Sequence, residues 1–170
     1  VRVELSSKGG TVFYAKITSA SAELFELHDR ERFELFAFSF GPDVKDAMQK
    51  RVAASFEHFI DISQLSDLEA ARMAREAGLD IAVDLKGYTQ DSRPGIFSYR
   101  CAPVQVNYLG YPGTMGADYI DYLIADAIVV PGASQLHYTE KIAYLPNSYQ
   151  VNDTKRAISD RVFTRAELGL

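Results

Sequence analysis

The sequence lacks the marks of an exported, membrane-spanning or disulfide-stapled protein. It has one cysteine, Cys101, so no disulfide can close within the chain, and its neighbours Arg100 and Ala102-Pro103 suggest no metal site. A reducing, cytoplasmic setting is the expectation. No apolar run approaches the ~18–20 residues of a membrane helix, and no basic-then-apolar signal opens the chain. A soluble protein without a membrane partner follows. Positive charge is in deficit, with 18 Lys plus Arg against 23 Asp plus Glu and a formal charge of −5. No basic face is evident for a row of phosphates, so nucleic acid is not an expected partner.

Familiar catalytic signatures are also missing. Neither the GxGxxG nor the GxxxxGK(S/T) order occurs, which disfavours the usual dinucleotide and triphosphate loops. No D-x-D triplet is present, and Asp118, Asp121 and Asp126 read as caps and solvated turns beside tyrosines rather than a metal cluster. His28, His58 and His137 stand far apart, outside any ligand or triad pattern. No repeat, low-complexity segment or linker interrupts the chain.

What is present is an ordinary globular composition, 47% apolar and 24% charged over 170 residues, enough for one domain with a full core. The chain opens on Val1 rather than methionine and closes on the capping-box spacing of Thr164-Arg165-Ala166-Glu167, with Leu168-Gly169 as a stop. The expectation is a single domain over 1–170, incomplete at both ends.

From Arg32 onward, short apolar runs alternate with helix-like segments, the rhythm of βαβ units around a parallel sheet. Residues 33–40 read as the first clear strand, Gly41-Pro42-Asp43 as its break and 44–56 as a helix. Residues 58–62 form the next strand. The helix over 66–77 opens with the capping box Ser66-Asp67-Leu68-Glu69 and stops at Gly78. A strand at 79–85 leads into Lys86-Gly87-Tyr88-Thr89, followed by a short helix at 91–99 capped by Asp91 or Ser92. Residues 104–109, 121–125 and 141–145 are further strands, with Val130-Pro131-Gly132 as punctuation. Before Arg32, residues 20–29 look helical and 1–5 could make a strand. The fold class is α/β.

The densest signal is Tyr108-Leu109-Gly110-Tyr111-Pro112-Gly113-Thr114-Met115-Gly116, a glycine-rich loop directly after an apolar run. Glycine admits conformations closed to other residues and close ligand approach, while proline fixes one torsion. In an open parallel sheet, ligands bind outside the carboxyl ends of the strands, where this loop and the Gly87 turn both fall. If their strands are neighbours, one crevice collects Lys86, Tyr88, Thr89, Arg93, Tyr111, Pro112 and Thr114, a set suited to a hydroxyl-rich or phosphorylated ligand. Spacing alone leaves a purely structural turn role equally open.

With these residues laid out, the segment from about 22 to 170 resembles the catalytic region of the protein O-linked N-acetylglucosamine transferases, including SPINDLY-like and bacterial tetratricopeptide-repeat forms. The resemblance rests on Gly87-Tyr88-Thr89 with Arg93, on Ala102-Pro103-Val104-Gln105, and above all on Leu109-Gly110-Tyr111-Pro112-Gly113-Thr114 with Gly116 and Asp121-Tyr122. Tyr138, Glu140-Lys141 and Tyr144-Leu145-Pro146 extend it. It implies a GT-B enzyme of two facing Rossmann-like halves, in which a UDP-GlcNAc donor gives its sugar to Ser or Thr of a protein or peptide acceptor. The anomeric centre inverts, with no metal and no cofactor. It implies further that Leu109, Gly110, Tyr111, Pro112, Gly113 and Thr114 line the sugar end of the donor site and that Gly87, Tyr88, Thr89 and Arg93 line the cleft. Tetratricopeptide repeats upstream are a further expectation.

Two departures temper that implication. The family carries an Asp-Phe and then a His before the helix equivalent to 20–29, whereas this chain reads Ser7-Lys8-Gly9-Gly10-Thr11-Val12-Phe13-Tyr14-Ala15; residues 1–21 hold neither group, and the catalytic residues are left unassigned. Their loss would cost roughly 10²–10⁴-fold in rate. The UDP-binding C-terminal half lies beyond Leu170, so this chain alone is expected to be inactive. Alternatives are a non-catalytic scaffold, a GT-B transferase using another nucleotide sugar, and a flavodoxin-like domain without sugar chemistry.

Overall fold

The computed structural model describes residues 21–41, 46–157 and 159–170, together with the backbone of 10–15. Its centre is a seven-stranded parallel sheet of order β3-β2-β1-β4-β5-β6-β7. In chain order the elements are β1 (Gly10–Ala15), α1 (Ala22–Glu26), β2 (Phe33–Ser39), α2 (Ala47–Ala53), β3 (His58–Asp61), α3 (Asp67–Glu76), β4 (Ile81–Asp84), α4 (Gly95–Ser98), β5 (Val104–Tyr108), β6 (Tyr122–Ala125) and β7 (Lys141–Tyr144), with a 3₁₀ helix at Gly132–His137 before β7. Among the described residues no helix is long and apolar enough to cross a membrane.

The chain winds outward from β1 to β3, then returns to β4 on the other side of β1 and continues to β7. That reversal places a topological switch point between β1 and β4, where the connections leaving neighbouring strands part to opposite sides. The sequence expectation assigns no element to residues 10–15, which form β1. Thr11, Val12, Phe13 and Tyr14 are good strand formers, and parallel pairing with both β2 and β4 makes theirs a central strand. The expected strand at 1–5 lies outside the described residues.

Both faces of the sheet are covered, which explains the unbroken buried run Leu35, Phe36, Ala37 and Phe38 in β2. Phe36 and Phe38 face α3 and α4, packing with Ala70, Ala71, Ala74, Ile96 and Phe97. Leu35 and Ala37 turn to the opposite layer, where Phe25 of α1 and Val52 of α2 close over Val83, Val106 and Tyr108. Three alanines let α3 lie close to the sheet. Burying an aromatic such as Phe25 or Phe38 contributes about 2–3 kcal/mol.

Local signals explain the N-termini of α2 and α3 and the C-terminus of α3. Ser66 Oγ accepts from the Glu69 amide while a Glu69 carboxylate oxygen accepts from the Ser66 amide, the expected capping box. Thr164 and Glu167 make the same reciprocal pair around a turn near the C-terminus. The helices α1, α2 and α4 are shorter than expected. α2 begins after Asp46, whose side chain accepts from Gln49. α4 begins at Gly95 with Pro94 at the N-cap position, so the start falls two residues or more beyond Asp91 and Ser92 and neither caps it.

Candidate functional site

β4 and β5 are hydrogen-bonded neighbours, in register from Ile81 opposite Val104 to Asp84 opposite Asn107. The two glycine turns therefore leave the sheet side by side. Asp84 Oδ1 accepts from the backbone amides of Lys86 (2.9 Å) and Gly87 (3.1 Å), turning the chain sharply after β4. Gly87 has φ 53°, and a Cβ there would lie 2.5 Å from Tyr111 Cβ. A Cβ on Gly110 would lie 2.3 Å from the Leu85 carbonyl oxygen. Each glycine is demanded by the neighbouring turn, so the two loops form one packed unit. Tyr88 and Tyr111 meet edge to face at 5.7 Å, and the Tyr88 hydroxyl donates to the Met115 carbonyl (2.9 Å).

The loop after β5 is braced from three directions. Asn107 Nδ2 donates to the carbonyls of Tyr111 (2.8 Å) and Gly113 (3.4 Å), and the Tyr138 hydroxyl donates to the Pro112 carbonyl (3.1 Å). Glu140, 5% exposed, accepts from the Met115 amide (2.5 Å) and the Thr114 hydroxyl (2.7 Å). Asn107 and Tyr138 engage loop carbonyls and Glu140 engages a hydroxyl and the Met115 amide, whereas no hydrogen bond among the described residues uses the backbone N–H of Tyr111, Gly113 or Thr114. Leu109 opens the loop at φ 73°, a conformation that costs a non-glycine residue about 1–2 kcal/mol. The result is a stiff loop with spare donors, suited to oxygen-rich ligands.

Of the residues expected at the site, Leu109, Tyr111, Pro112, Gly113 and Thr114 are half-buried and Gly110 is exposed, all on this loop. Gly87 is buried beneath Tyr111, while Tyr88 and Thr89 are exposed. Arg93 departs from the expectation of a cleft-lining side chain. Its Nε donates to Asp67 (2.7 Å), and its other nitrogens donate to the carbonyls of Ile62 (3.0 Å) and Leu65 (2.7 Å). The guanidinium clamps the β3–α3 connection. A long-range carboxylate took it, which no local pattern announces.

A cavity of about 1030 Å³ adjoins the braced loop, lined by Tyr88, Gly116, Tyr119, Tyr122, Thr139 and Lys141 among others. It begins where the loop ends. The acidic residues nearby have structural partners. Asp121 binds Arg100 through both oxygens (2.8 Å each) and accepts from the Gln105 amide (2.7 Å). Asp126 accepts from the amides of Tyr149, Val129 and Ile128, which hold its carboxyl below the usual range. Burial pushes the Cys101 thiol up to about 12, leaving it unreactive. Among the described residues no three His, Cys, Asp or Glu side chains gather as metal ligands would.

Asp84, Asn107, Tyr138 and Glu140 hold the site together without having been singled out for that role by their spacing. Two leave a trace. Asp84 closes an apolar run just before a turn, and Asn107 is a polar residue inside a strand whose neighbours Val106 and Tyr108 are buried. Tyr138 and Glu140 arrive from 26 residues beyond the groups they bind, with no local signal.

The model of glycosyl transferase family 41 matches residues 13–166. The chain is 38% identical over 137 residues to the probable UDP-N-acetylglucosamine-peptide N-acetylglucosaminyltransferase SEC of Arabidopsis thaliana, an alignment covering 81% of this chain and 14% of that protein. It is 35% identical over 143 residues to the UDP-N-acetylglucosamine-peptide N-acetylglucosaminyltransferase of Caenorhabditis elegans, covering 82% of this chain and 12% of the other. A solved structure of a mutant O-GlcNAc transferase from Thermobaculum terrenum superposes with a TM-score of 0.79 at 30% identity, over 84% of this chain and 28% of that one. The chain thus spans well under a third of the length of each. A family match over nearly the whole sequence, carried by a superposable parallel sheet, means that the chain belongs to glycosyl transferase family 41, the O-GlcNAc transferase family, and has the Rossmann-like N-terminal half of its GT-B fold.

Proposed function

We propose that this chain forms one wall of the donor cleft of a protein O-GlcNAc transferase, the opposite, UDP-binding wall lying in sequence beyond it. The observation that carries the reading is the braced loop at 109–114, whose Tyr111, Pro112 and Gly113 carbonyls are engaged and whose Tyr111, Gly113 and Thr114 amides have no partner among the described residues. Leu109, Gly110, Tyr111, Pro112, Gly113 and Thr114 then face the sugar, with Gly87, Tyr88 and Thr89 beside them. Fixed donors orient sugar hydroxyls at little entropic cost, and a rigid proline keeps the loop from reorganising as charge develops on the leaving diphosphate. No metal or cofactor enters this scheme. A Ser or Thr peptide acceptor, upstream tetratricopeptide repeats and a cytoplasmic setting complete it.

The resemblance expects an Asp-Phe and a His within the segment before α1, and residues 1–21 contain no aspartate and no histidine. Residues 16–20, outside the described set, are Lys16, Ile17, Thr18, Ser19 and Ala20, with no carboxylate or imidazole. That observation favours a second reading, a member that binds donor or acceptor without transferring sugar. Incubating the complete gene product with UDP-GlcNAc and acceptor peptides separates the two. Mass spectrometry is expected to show an added N-acetylhexosamine; its absence with every donor tried overturns the transferase reading.

A further inference from the structure

Two buried side-chain oxygens among the described residues have no hydrogen-bond partner, Asp84 Oδ2 and Asn107 Oδ1. They are on register partners of β4 and β5. Strand alternation puts both side chains on one face, since Ala82 packs with the α3–α4 layer while Val83, Val106 and Tyr108 pack with the opposite one. Asp84 is 3% exposed and Asn107 is fully buried.

The other polar atom of each residue is committed to its own loop. Asp84 Oδ1 holds the Lys86 and Gly87 amides, and Asn107 Nδ2 holds the Tyr111 and Gly113 carbonyls. Rotating the Asn107 amide would set its oxygen against two carbonyl oxygens, so its orientation is determined by the loop. Two buried acceptors on neighbouring register partners are thereby left without a donor among the described residues, an arrangement that is costly unless one becomes a donor. A protonated carboxyl supplies one O–H and satisfies both atoms at once.

We propose that Asp84 is a neutral carboxylic acid in the folded protein and that its Oδ2–H donates to Asn107 Oδ1, so that one buried proton links the Gly87 turn to the loop at 109–114. Asp84 is then a positioning residue, acting on the loop through Asn107. Its surroundings favour the neutral form. α3 and α4 bring Ala70, Ala71, Ala74, Ile96 and Phe97 to this layer, and β1 brings Ala15 into register. Among the described residues, Lys86, Cys101 and Tyr119 are ionisable groups that interact with Asp84. Burial outweighs the attraction of Lys86 and the two amides and raises the carboxyl above its ordinary range.

The test reads the Asp84 carboxyl carbon by carbon-13 NMR of the full chain through a pH titration, with thermal melting of wild type, Asp84→Asn, Asp84→Ala and Asn107→Leu in parallel. A protonated Asp84 signal at pH 6 is expected, together with joint shifts of the Gly87 and Gly113 amides when it ionises. Asp84→Asn, whose amide N–H can replace the O–H, should retain the wild-type melting temperature and lose the pH dependence. An Asp84 signal that is ionised at pH 6, as a carboxylate with a bridging water would give, overturns the proposal. So does an Asp84→Asn protein as damaged as Asp84→Ala, and the wild-type titration decides even if the alanine variant does not fold. The functional consequence rests on the transferase reading. There Asn107→Leu should raise the donor KM roughly ten- to a hundred-fold, with Asp84→Asn restoring what Asp84→Ala loses. Absence of any transfer would sink that reading and leave the NMR result to stand or fall alone.

Discussion

Two irregular stretches are tied to the body of this protein by quite different forces. The loop at 109–116 is held by buried groups, Asn107, Glu140 and the ring of Tyr111 over Gly87. The stretch at 153–155 lies against α1 and α2 and is held mainly by charge. Arg51 bridges Glu26 (2.7 Å) and Asp153 (2.5 Å), Lys155 reaches Glu26 (2.6 Å), and Thr154 caps onto Glu23 (2.8 Å). Buried hydrogen bonds are short-ranged and little affected by salt, whereas the long-range Coulombic attraction within a cluster of ion pairs near the surface is weakened by salt. A loop that must keep its shape for a ligand has the first kind of support; a strap that only lies down on the surface has the second.

The sharpest way to break this contrast is Gly110→Ala. Its Cβ would strike backbone, the Leu85 carbonyl at 2.3 Å, and Gly87→Ala adds a positive φ to a clash with Tyr111. Either substitution should cost about 3 kcal/mol or more in urea unfolding, and a loss under ~1 kcal/mol would show that the two turns are not packed together. Next comes Glu140→Ala, which removes the acceptor for both Thr114 and Met115 and should cost about 2–3 kcal/mol. Added salt should leave that difference unchanged.

On the strap, Arg51→Met should speed proteolytic cleavage within 149–157 while shifting the global melting temperature far less than Glu140→Ala does. Molar salt should mimic it in wild type. If the two substitutions destabilise equally, the distinction between the regions fails. The smallest effect is expected for Thr154→Val, exposed and bonded only to Glu23, at about 0.5 kcal/mol or less by thermal melting.

Acid should separate the regions by sign. Arg51 and Lys155 hold the Glu26 carboxyl down at about 2, and Arg51 also lowers Asp153. A depressed folded-state pKa means that their contribution is complete above the unfolded values of 4.5 and 3.8 and is lost as pH falls toward about 2. Asp84 is shifted the other way, chiefly by burial. Its contribution is present at low pH and declines as pH rises above the unfolded value of 3.8 through its raised folded value. Melting curves from pH 2 to 7 for wild type, Glu26→Gln and Asp84→Asn should therefore show opposite slopes removed by the two substitutions.

Much of the fold was legible residue by residue. The helix at Asp67–Glu76 announced both ends, because a capping box and a left-handed glycine act within a few residues of where they stand. β4, β5, β6 and β7 fell within a few residues of their expected ends. β1 was not read from the sequence at all, because its place as a central strand comes from pairing with β2 and β4. The loop at 109–114 was legible as a loop, whereas its bracing was not. Arg93 looked free for a ligand until Asp67 and two carbonyls took its donors.

By itself the sequence determined the βαβ rhythm, the capped helix, the positions of the two glycine turns and the family motif, since propensity, periodicity and chain-neighbour hydrogen bonds operate over a few residues. Only the tertiary structure decided that β4 and β5 would be neighbours, that Gly87 and Gly110 would each be required by the other's turn, and that Glu140 and Tyr138 would come 26 residues along the chain to brace the loop. It also set Asp84 opposite Asn107, leaving two buried acceptors without a donor among the described residues. Those outcomes depend on strand order and register, which are properties of the whole sheet and leave no mark on any short stretch of sequence.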